Sequence, residues 1–214
     1  MKKTISLLMV ASLLIPTMWW QLSFAQHDEV VGFVQDEEAE DNGKTKKEWD
    51  VTLARGVTRD IEFSTEEGTF MSVDVSPDGN YLVFDLLAHI YRMPIAGGEA
   101  EVLTQDSGVA TNYHPMYSPD GKHVAFISDR AGQNNLWIMG SDGSDPKVVA
   151  KDLTARHLTP SWSADSNYIY VQKAGMATGS GRPDTGIWMY HKDGGKGVEL
   201  IGRTESGASW PSPS

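Results

Sequence analysis

The chain has 214 residues, of which 40% are hydrophobic and 9% aromatic, and its formal net charge is −11. This length and composition allow one or at most two domains with a packed core. The negative charge argues against nucleic acid or an anionic membrane surface as a partner, and the lack of cysteine excludes disulfides, thiol nucleophiles and thiolate metal sites.

The N-terminus has the pattern of an export signal. Lys2 and Lys3 precede an apolar run over residues 5–15, and Ser23 and Ala25 place small side chains at the two positions that a signal peptidase reads. We predict a cleavable signal peptide over residues 1–25, a periplasmic or secreted location, and no membrane association after cleavage. An uncleaved anchor is the alternative, because weakly apolar sequence continues as far as residue 24.

Residues 26–48 are dense in charge, with acids first and lysines last, and contain few large apolar side chains. Such a segment cannot bury enough surface to offset the entropy cost of ordering it, so we predict a disordered charged linker. An acidic cation-binding tail is the weaker alternative, since charge runs are usually solvated. The folded body is expected to begin near Trp49 and to fill residues 49–214.

A four-residue phrase recurs along the folded body. Residues 76–79 and, 42 positions later, 118–121 read Ser-Pro-Asp-Gly, and residues 163–166, another 45 positions on, read Ser-Ala-Asp-Ser. The phrase predicts a tight turn, because Pro presets φ, Asp bonds nearby backbone amides and Gly takes a left-handed conformation.

Four short strands surround each turn phrase and are joined by further turns. The strands are predicted at 70–75, 81–87, 89–95 and 100–104 in the first unit, at 112–117, 123–128, 135–140 and 147–150 in the second, and at 157–162, 168–173, 186–191 and 198–202 in the third. Each unit therefore predicts one four-stranded antiparallel sheet.

The second strand of each unit is apolar on both faces, as in residues 123–128. Because a sheet that is covered on one side alternates apolar with polar residues, these sheets should be covered on both sides. The predicted fold is all-β, a partial β-propeller of about three four-stranded antiparallel blades whose ring is not closed. A two-sheet sandwich is the alternative, but it needs no repeat of this length.

Residues 57–214 resemble the TolB-type β-propeller repeat. Ser-Pro-Asp-Gly, the hairpin AFISDRAG, the aromatic strand NLWIM and the turn DGS recur in that order. The third unit departs from the pattern at Ala164 and Ser166, and its hairpin loop is enlarged over residues 174–185.

Residues 67–104 and 187–201 are similar to the N-terminal propeller of exported metal-dependent amidohydrolases. The resemblance implies a non-catalytic scaffold or a substrate- or partner-binding domain, with the hydrolytic metal held by a downstream catalytic domain. A free-standing periplasmic interaction module like TolB and the propeller of a prolyl-oligopeptidase-type peptidase are the alternatives. The expected partner is the downstream domain of the same chain or another periplasmic protein.

The chain carries none of the common catalytic motifs. Its six histidines do not fall in His-x-His or His-Glu-x-x-His spacing, and neither Gly-x-Ser-x-Gly nor a phosphate-binding Gly-x-x-x-x-Gly-Lys loop occurs. We therefore predict no catalytic, cofactor-binding or metal-binding residue in this chain, and a metal is implied only for a downstream domain.

Seven side chains are candidate exceptions to this prediction. His114 and His157 lie on first strands, which line the channel of a propeller, and are read as polar lining rather than as ligands. Asp129 and Arg130 are read as closing a hairpin. The recurring third-strand aromatics are read as core between blades rather than as a binding platform; they are Tyr91, Trp137 and Trp188.

Three blades do not close a ring, so two further expectations follow. The outer faces of the first and third blades should be exposed and apolar, and the isolated chain should self-associate.

Residues 57–63 are expected to form a strand that completes a last blade. In register, Ser214 is the first residue of a fourth turn phrase, and the sequence is accordingly interpreted as a truncated product.

Overall fold

Three four-stranded antiparallel sheets account for the twelve strands in the described part of the chain, which in this computed structural model comprises residues 50–59, 61, 64–175, 185–204 and 211–212. All of the strands belong to one compact unit. The predicted signal peptide and charged linker lie outside the described residues. Within the described residues, no helix is long and apolar enough to cross a membrane.

Each sheet is built from consecutive strands that pair in chain order. Sheet 1 contains β1 (Val73–Val75), β2 (Tyr81–Leu86), β3 (His89–Pro94) and β4 (Glu101–Val102); sheet 2 contains β5 (Asn112–Tyr117), β6 (His123–Ser128), β7 (Asn135–Gly140) and β8 (Lys147–Ala150); sheet 3 contains β9 (Ala155–Trp162), β10 (Tyr168–Gly175), β11 (Thr185–His191) and β12 (Val198–Thr204). The predicted all-β class and the three four-stranded units are confirmed, and β5 to β8 have the predicted bounds.

The start of the first unit differs from the prediction. Strand β1 begins at Val73 instead of residue 70, because Phe70 has a φ of +56°, which is incompatible with an extended strand. The strand predicted over residues 57–63 is not present among the residues of that stretch that are described, 57–59 and 61. Val57 and Ile61 are exposed there, and no described strand supplies the backbone partner that an extended segment needs.

The recurring phrase forms the same turn in all three sheets, and its serine is the central group. In sheet 1, the Ser76 hydroxyl donates to Asp78 Oδ1 (2.5 Å) and accepts from the backbone N–H of Tyr81 (2.9 Å). Ser118 and Ser163 repeat this arrangement. The turn is therefore closed by a side-chain bridge between its two strands as well as by the backbone geometry that Pro and Gly favour.

Ser166 replaces glycine in the third turn for a reason that the structure makes visible. Its φ is +60°, in the same left-handed region as the φ of Gly121, +71°. The Ser166 hydroxyl accepts a hydrogen bond from the backbone N–H of Asp120 (3.0 Å), which belongs to the turn of sheet 2. The side chain thus links neighbouring sheets and offsets the backbone strain at this position.

Sheet 2 is packed between the other two sheets. First strands contact each other in chain order, β1 with β5 and β5 with β9. One apolar cluster joins sheets 1 and 2, and a second joins sheets 2 and 3. Residues 124–127 of β6 are completely buried, so the predicted burial of this strand on both faces is confirmed. Three sheets packed in a row are consistent with consecutive propeller blades and not with a two-sheet sandwich.

Candidate functional site

His114 and His157 lie on first strands, as predicted, but they have different surroundings. His114 is half-buried, has a φ of +53°, and donates its backbone N–H to Asp85 Oδ2 of sheet 1 (2.7 Å). His157 is fully buried, and its Nε2 lies 3.2 Å from the Tyr190 hydroxyl. The prediction that both rings line a wet channel is wrong for His157, because the packed interface between sheets 2 and 3 excludes solvent from it.

A buried ion pair lies beside His157. Lys173 Nζ is 2.8 Å from Asp152 Oδ2, and the two side chains are only 11% and 19% exposed. Lys173 Nζ also lies 4.2 Å from the centre of the Trp188 ring, an arrangement that favours a cation. Although burial opposes it, hydrogen bonds from Lys173 and Thr154 hold the pKa of the Asp152 carboxyl well below its usual range. The Asp152 carboxyl is therefore ionised at neutral pH.

The Asp152 carboxylate also organises the connection between sheets 2 and 3. Its Oδ1 accepts hydrogen bonds from the backbone N–H groups of Thr154 (2.7 Å) and Ala155 (3.1 Å). The Asp152 N–H donates to Oδ1 of Asn135 (2.7 Å), which is fully buried. One carboxylate thus fixes the turn into β9 and neutralises the buried Lys173, so we assign this cluster a structural role.

The burial of His157 predicts a pH dependence of stability. Burial and, second, the charge of Lys173 lower the pKa of His157 to about 4 in the folded chain, whereas an unfolded histidine has a pKa of about 6.5. As the pH falls from about 6.5 to about 4, the His157 imidazole becomes protonated in the unfolded chain but stays neutral in the folded chain. The free energy of unfolding therefore falls by up to roughly 3 kcal/mol. Urea denaturation at pH 7.5, 5.5 and 4.5 measures this loss.

The matched variant for this prediction is His157→Gln. This variant should be less stable at pH 7.5 but should lose less stability on acidification, because it lacks the buried imidazole. A smaller loss should remain, since His114 and His123, whose pKa values burial also lowers, are present in both proteins. Equal losses between pH 7.5 and 4.5 in the two proteins would show that His157 does not titrate as its burial requires.

Asp129 and Arg130 have separate structural roles. The Asp129 backbone carbonyl accepts from the N–H of Gly132 (2.7 Å), and Asp129 Oδ1 accepts from the N–H of Thr111 (2.8 Å). This confirms the interpretation of Asp129 as a hairpin residue. The Arg130 guanidinium instead lies 4.9 Å from the Trp137 ring centre and donates to Asn112 Oδ1 (2.7 Å), so it belongs to the interface between sheets 1 and 2.

The prediction that the third-strand aromatics form core between blades is confirmed for Trp137 and Trp188 but not for Tyr91. Trp137 packs on the apolar cluster between sheets 1 and 2, and Trp188 packs on the cluster between sheets 2 and 3. Tyr91 has the equivalent register position in sheet 1, opposite Phe84, and stacks on that ring with the two centres 5.6 Å apart. No other described sheet packs on this face of sheet 1, so Tyr91 remains half-buried.

Five apolar side chains share this uncovered face of sheet 1, which we call the open face. They are Val75, Leu82, Phe84, Tyr91 and Met93, and strand pairing aligns them with Tyr117, Val124, Phe126, Trp137 and Met139 of sheet 2. In sheet 2 the members of this set other than Trp137 are at most 6% exposed. Val75 is 45% exposed, and Val73, which is on the same face, is 62% exposed. The expectation of an exposed apolar face on the first unit is confirmed, and this face is the candidate interaction site.

A cleft of about 290 Å³ lies between sheets 1 and 2 near their turn phrases. Arg92 lines it, but the guanidinium already bonds Glu101 Oε2 (2.8 Å) and the Ser141 carbonyl (3.1 Å) and covers the Tyr81 ring. We assign no ligand to the cleft for that reason. Among the described residues, no group of three or more His, Asp or Glu is placed to hold a metal ion.

Sequence reasoning missed Lys173 and Asp85, and the sequence carried a weak signal for each. Both are charged residues near the end of a mostly apolar second strand, where a propeller blade is covered by its neighbours. Asp85 is 7% exposed and accepts from the N–H groups of Ser72 (3.0 Å) and His114 (2.7 Å). A charge within a strand that is buried on both faces indicates a specific partner, but the pattern does not identify that partner.

Parts of the chain are similar in sequence to known bacterial proteins. The chain is 40% identical over 78 residues to the uncharacterised protein Atu1656 of Agrobacterium fabrum, covering 35% of this chain and 26% of that protein. It is 33% identical over 97 residues to the Tol-Pal system protein TolB of Wolinella succinogenes, covering 44% of this chain and 22% of that protein. The chain therefore spans about a quarter of the length of these relatives.

The fold is similar to that of a solved structure of a TolB-like protein from Agrobacterium tumefaciens. The TM-score is 0.51 at 26% identity, and the match covers 62% of this chain and 50% of the solved chain. The family model of the TolB beta propeller domain matches residues 45–186, about two thirds of the sequence. With its three consecutive four-stranded sheets, this chain belongs to the TolB beta propeller domain family.

Proposed function

We propose that this chain is the non-catalytic propeller part of an exported amidohydrolase, in which it acts as a scaffold or as a substrate- or partner-binding domain. The observation that carries the proposal is the open face, whose side chains have the register of an interface between blades but are only half-buried or are exposed. A face of this kind is suited to a further sheet and not to solvent. The choice of an amidohydrolase rests on the resemblance of residues 67–104 and 187–201.

The proposed chemistry is divided between two parts of the protein. Three four-stranded sheets supply rigid, repeated surfaces, and a downstream barrel would supply the metal ligands and the hydrolysis. The partner of the propeller is then the catalytic domain of the same chain, and export through residues 1–25 would place both in the periplasm or outside the cell.

A periplasmic protein-interaction module like TolB is the second candidate. Its support is the 33% identity over 97 residues to the Tol-Pal system protein TolB. In that case the partner would be another periplasmic protein, and the complete gene product would contain a ring of blades without a hydrolase domain.

Hydrolase assays separate these candidates. The complete product of the gene should hydrolyse cyclic amides in a zinc-dependent manner, whereas the 214-residue chain should not hydrolyse cyclic amides or prolyl peptides, with or without zinc. A complete product that consists of one ring of blades without hydrolase activity would contradict the amidohydrolase proposal and support the interaction module. Turnover by the 214-residue chain that a single substitution abolishes would contradict both.

A further inference from the structure

Sheets 1 and 3 each leave one face uncovered in the described part of the chain, and these faces are of opposite kinds. The open face of sheet 1 is equivalent to the faces of sheets 2 and 3 that pack on the preceding sheet. The uncovered face of sheet 3, which we call the rear face, is equivalent to the faces of sheets 1 and 2 that pack on the following sheet. It is formed by Tyr170, Gln172, Ile187 and Met189, which align with Ala125, Ile127, Leu136 and Ile138 of sheet 2.

Burial shows that the rear face lacks the cover that sheet 2 has. The four equivalent side chains of sheet 2 are at most 1% exposed. In sheet 3, Ile187 is 6% exposed, but Tyr170, Gln172 and Met189 are only half-buried, and Ile201, which pairs with Ile187, is 50% exposed. Both ends of the array of sheets therefore present apolar surface.

We propose that the 214-residue chain forms a closed head-to-tail dimer, in which the open face of each copy packs on the rear face of sheet 3 of its partner. At both interfaces within the chain, the face of one sheet that is equivalent to the rear face packs on the face of the next sheet that is equivalent to the open face. A head-to-tail dimer continues that pairing and covers all four uncovered faces, whereas contact between two open faces would leave both rear faces in water.

Charge does not oppose this contact. None of the five side chains of the open face and none of the four of the rear face is charged, so the dimer would bury these surfaces without removing an ion from water. Apolar surface of this kind supplies the main driving force for association.

The number of sheets favours closure over an open filament. A head-to-tail interface closes only when the rotation between copies completes a ring. The match to the solved TolB-like chain covers 62% of this chain but 50% of that one, so that chain contains about as much again as the matched part. Two copies of this chain, each with three sheets, also supply about twice the matched part. We therefore expect two copies per ring.

Light scattering of the full chain tests the stoichiometry. We expect twice the chain mass, and we expect Val73→Lys, at a residue on the open face that is 62% exposed, to give the single chain mass with unchanged β-sheet circular dichroism. Leu153→Lys is the matched control, because Leu153 is 64% exposed but lies in the connection between sheets 2 and 3; it should remain dimeric. A monomer at all concentrations, a mass that grows without limit, or a dimeric Val73→Lys variant would overturn the proposal.

Engineered thiols test the register, since the chain has no cysteine of its own. The Tyr117 N–H donates to Asp74 Oδ2 (2.8 Å) across the interface between sheets 1 and 2, and the equivalent pair across the dimer is Val75 with Ser161 of the partner subunit. Under mild oxidation, Val75→Cys/Ser161→Cys should give a covalent dimer, and Val75→Cys alone should not. A 75–75 disulfide in the single variant would show a face-to-face dimer and overturn the head-to-tail arrangement.

The outcome is independent of the proposed hydrolase parentage. The dimer concerns the 214-residue chain alone, whereas the parentage is tested by the activity of the complete gene product. A monomeric chain would therefore leave the proposed function unaffected, and an inactive gene product would leave the dimer unaffected.

Discussion

Replacing Asp152 with alanine is expected to lower the free energy of unfolding by about 3–5 kcal/mol, because the substitution leaves the Lys173 ammonium buried without a counter-charge. The two side chains are 2.8 Å apart and only 19% and 11% exposed. The variant also loses the bonds from the Thr154 and Ala155 amides that fix the turn into β9. Equilibrium urea denaturation at pH 7.5 measures the loss.

Two further variants identify the cause of that loss. Asp152→Ala/Lys173→Met should recover part of the lost stability, since removing both charges removes the uncompensated ion. Asp142→Ala removes an exposed turn carboxylate that accepts similar hydrogen bonds from Ser144, and it should shift the urea midpoint only slightly. If Asp152→Ala were no more destabilising than Asp142→Ala, the ion pair would not contribute as its burial indicates.

Replacing Phe126 with alanine should also cost about 3–5 kcal/mol, because this ring is completely buried between sheets 1 and 2 and its removal leaves a cavity. The ring also supports the Arg130 guanidinium, which lies 5.5 Å from its centre. Urea denaturation followed by Trp fluorescence measures the change. A loss below about 1 kcal/mol would show that sheets 1 and 2 are not packed together in solution.

The strand positions were the most predictable part of this fold. The alternation and length of the apolar runs located β5 to β8 without error, because each run ends at a turn whose residues have a specific backbone requirement. The third-strand aromatics Trp137 and Trp188 were correctly interpreted as core between sheets, since their spacing follows the repeat. Local chemistry and periodicity are sufficient for these features.

The groups that connect neighbouring sheets were not predictable from the sequence. Asp152 and Lys173 are separated by a turn, a full strand and a second turn, and their contact depends on how the connection between sheets 2 and 3 lies on β10. The bond from the Asp120 N–H to the Ser166 hydroxyl likewise depends on the packing of one turn on the next. No local pattern contains this information, because it arises from the angle and spacing between sheets.

The candidate site was predicted in kind but not in detail. The lack of a closed ring predicted exposed apolar faces, and the open face of sheet 1 confirms this for the first unit. His157, which drew attention as a possible channel contact, is instead part of the packing between sheets 2 and 3, and its ring is inaccessible to solvent. Residue type on a first strand did not distinguish these roles, because the two histidines differ in register: His157 pairs with Lys173, as Asn112 pairs with the equivalent Ser128, whereas His114 lies at the register shift after Tyr113.

The central claim is that the open face of sheet 1 is an interface between blades without its covering sheet, and one comparison tests it directly. Phe84 and Phe126 have the same register position in sheets 1 and 2, so their alanine variants can be measured at a dilution where light scattering gives the mass of a single chain. Phe84→Ala should cost only about 1 kcal/mol against about 3–5 kcal/mol for Phe126→Ala, and only the Phe84→Ala cost should rise with protein concentration. Equal costs in the dilute monomer would contradict the claim, because they would mean that the face around Phe84 is already covered.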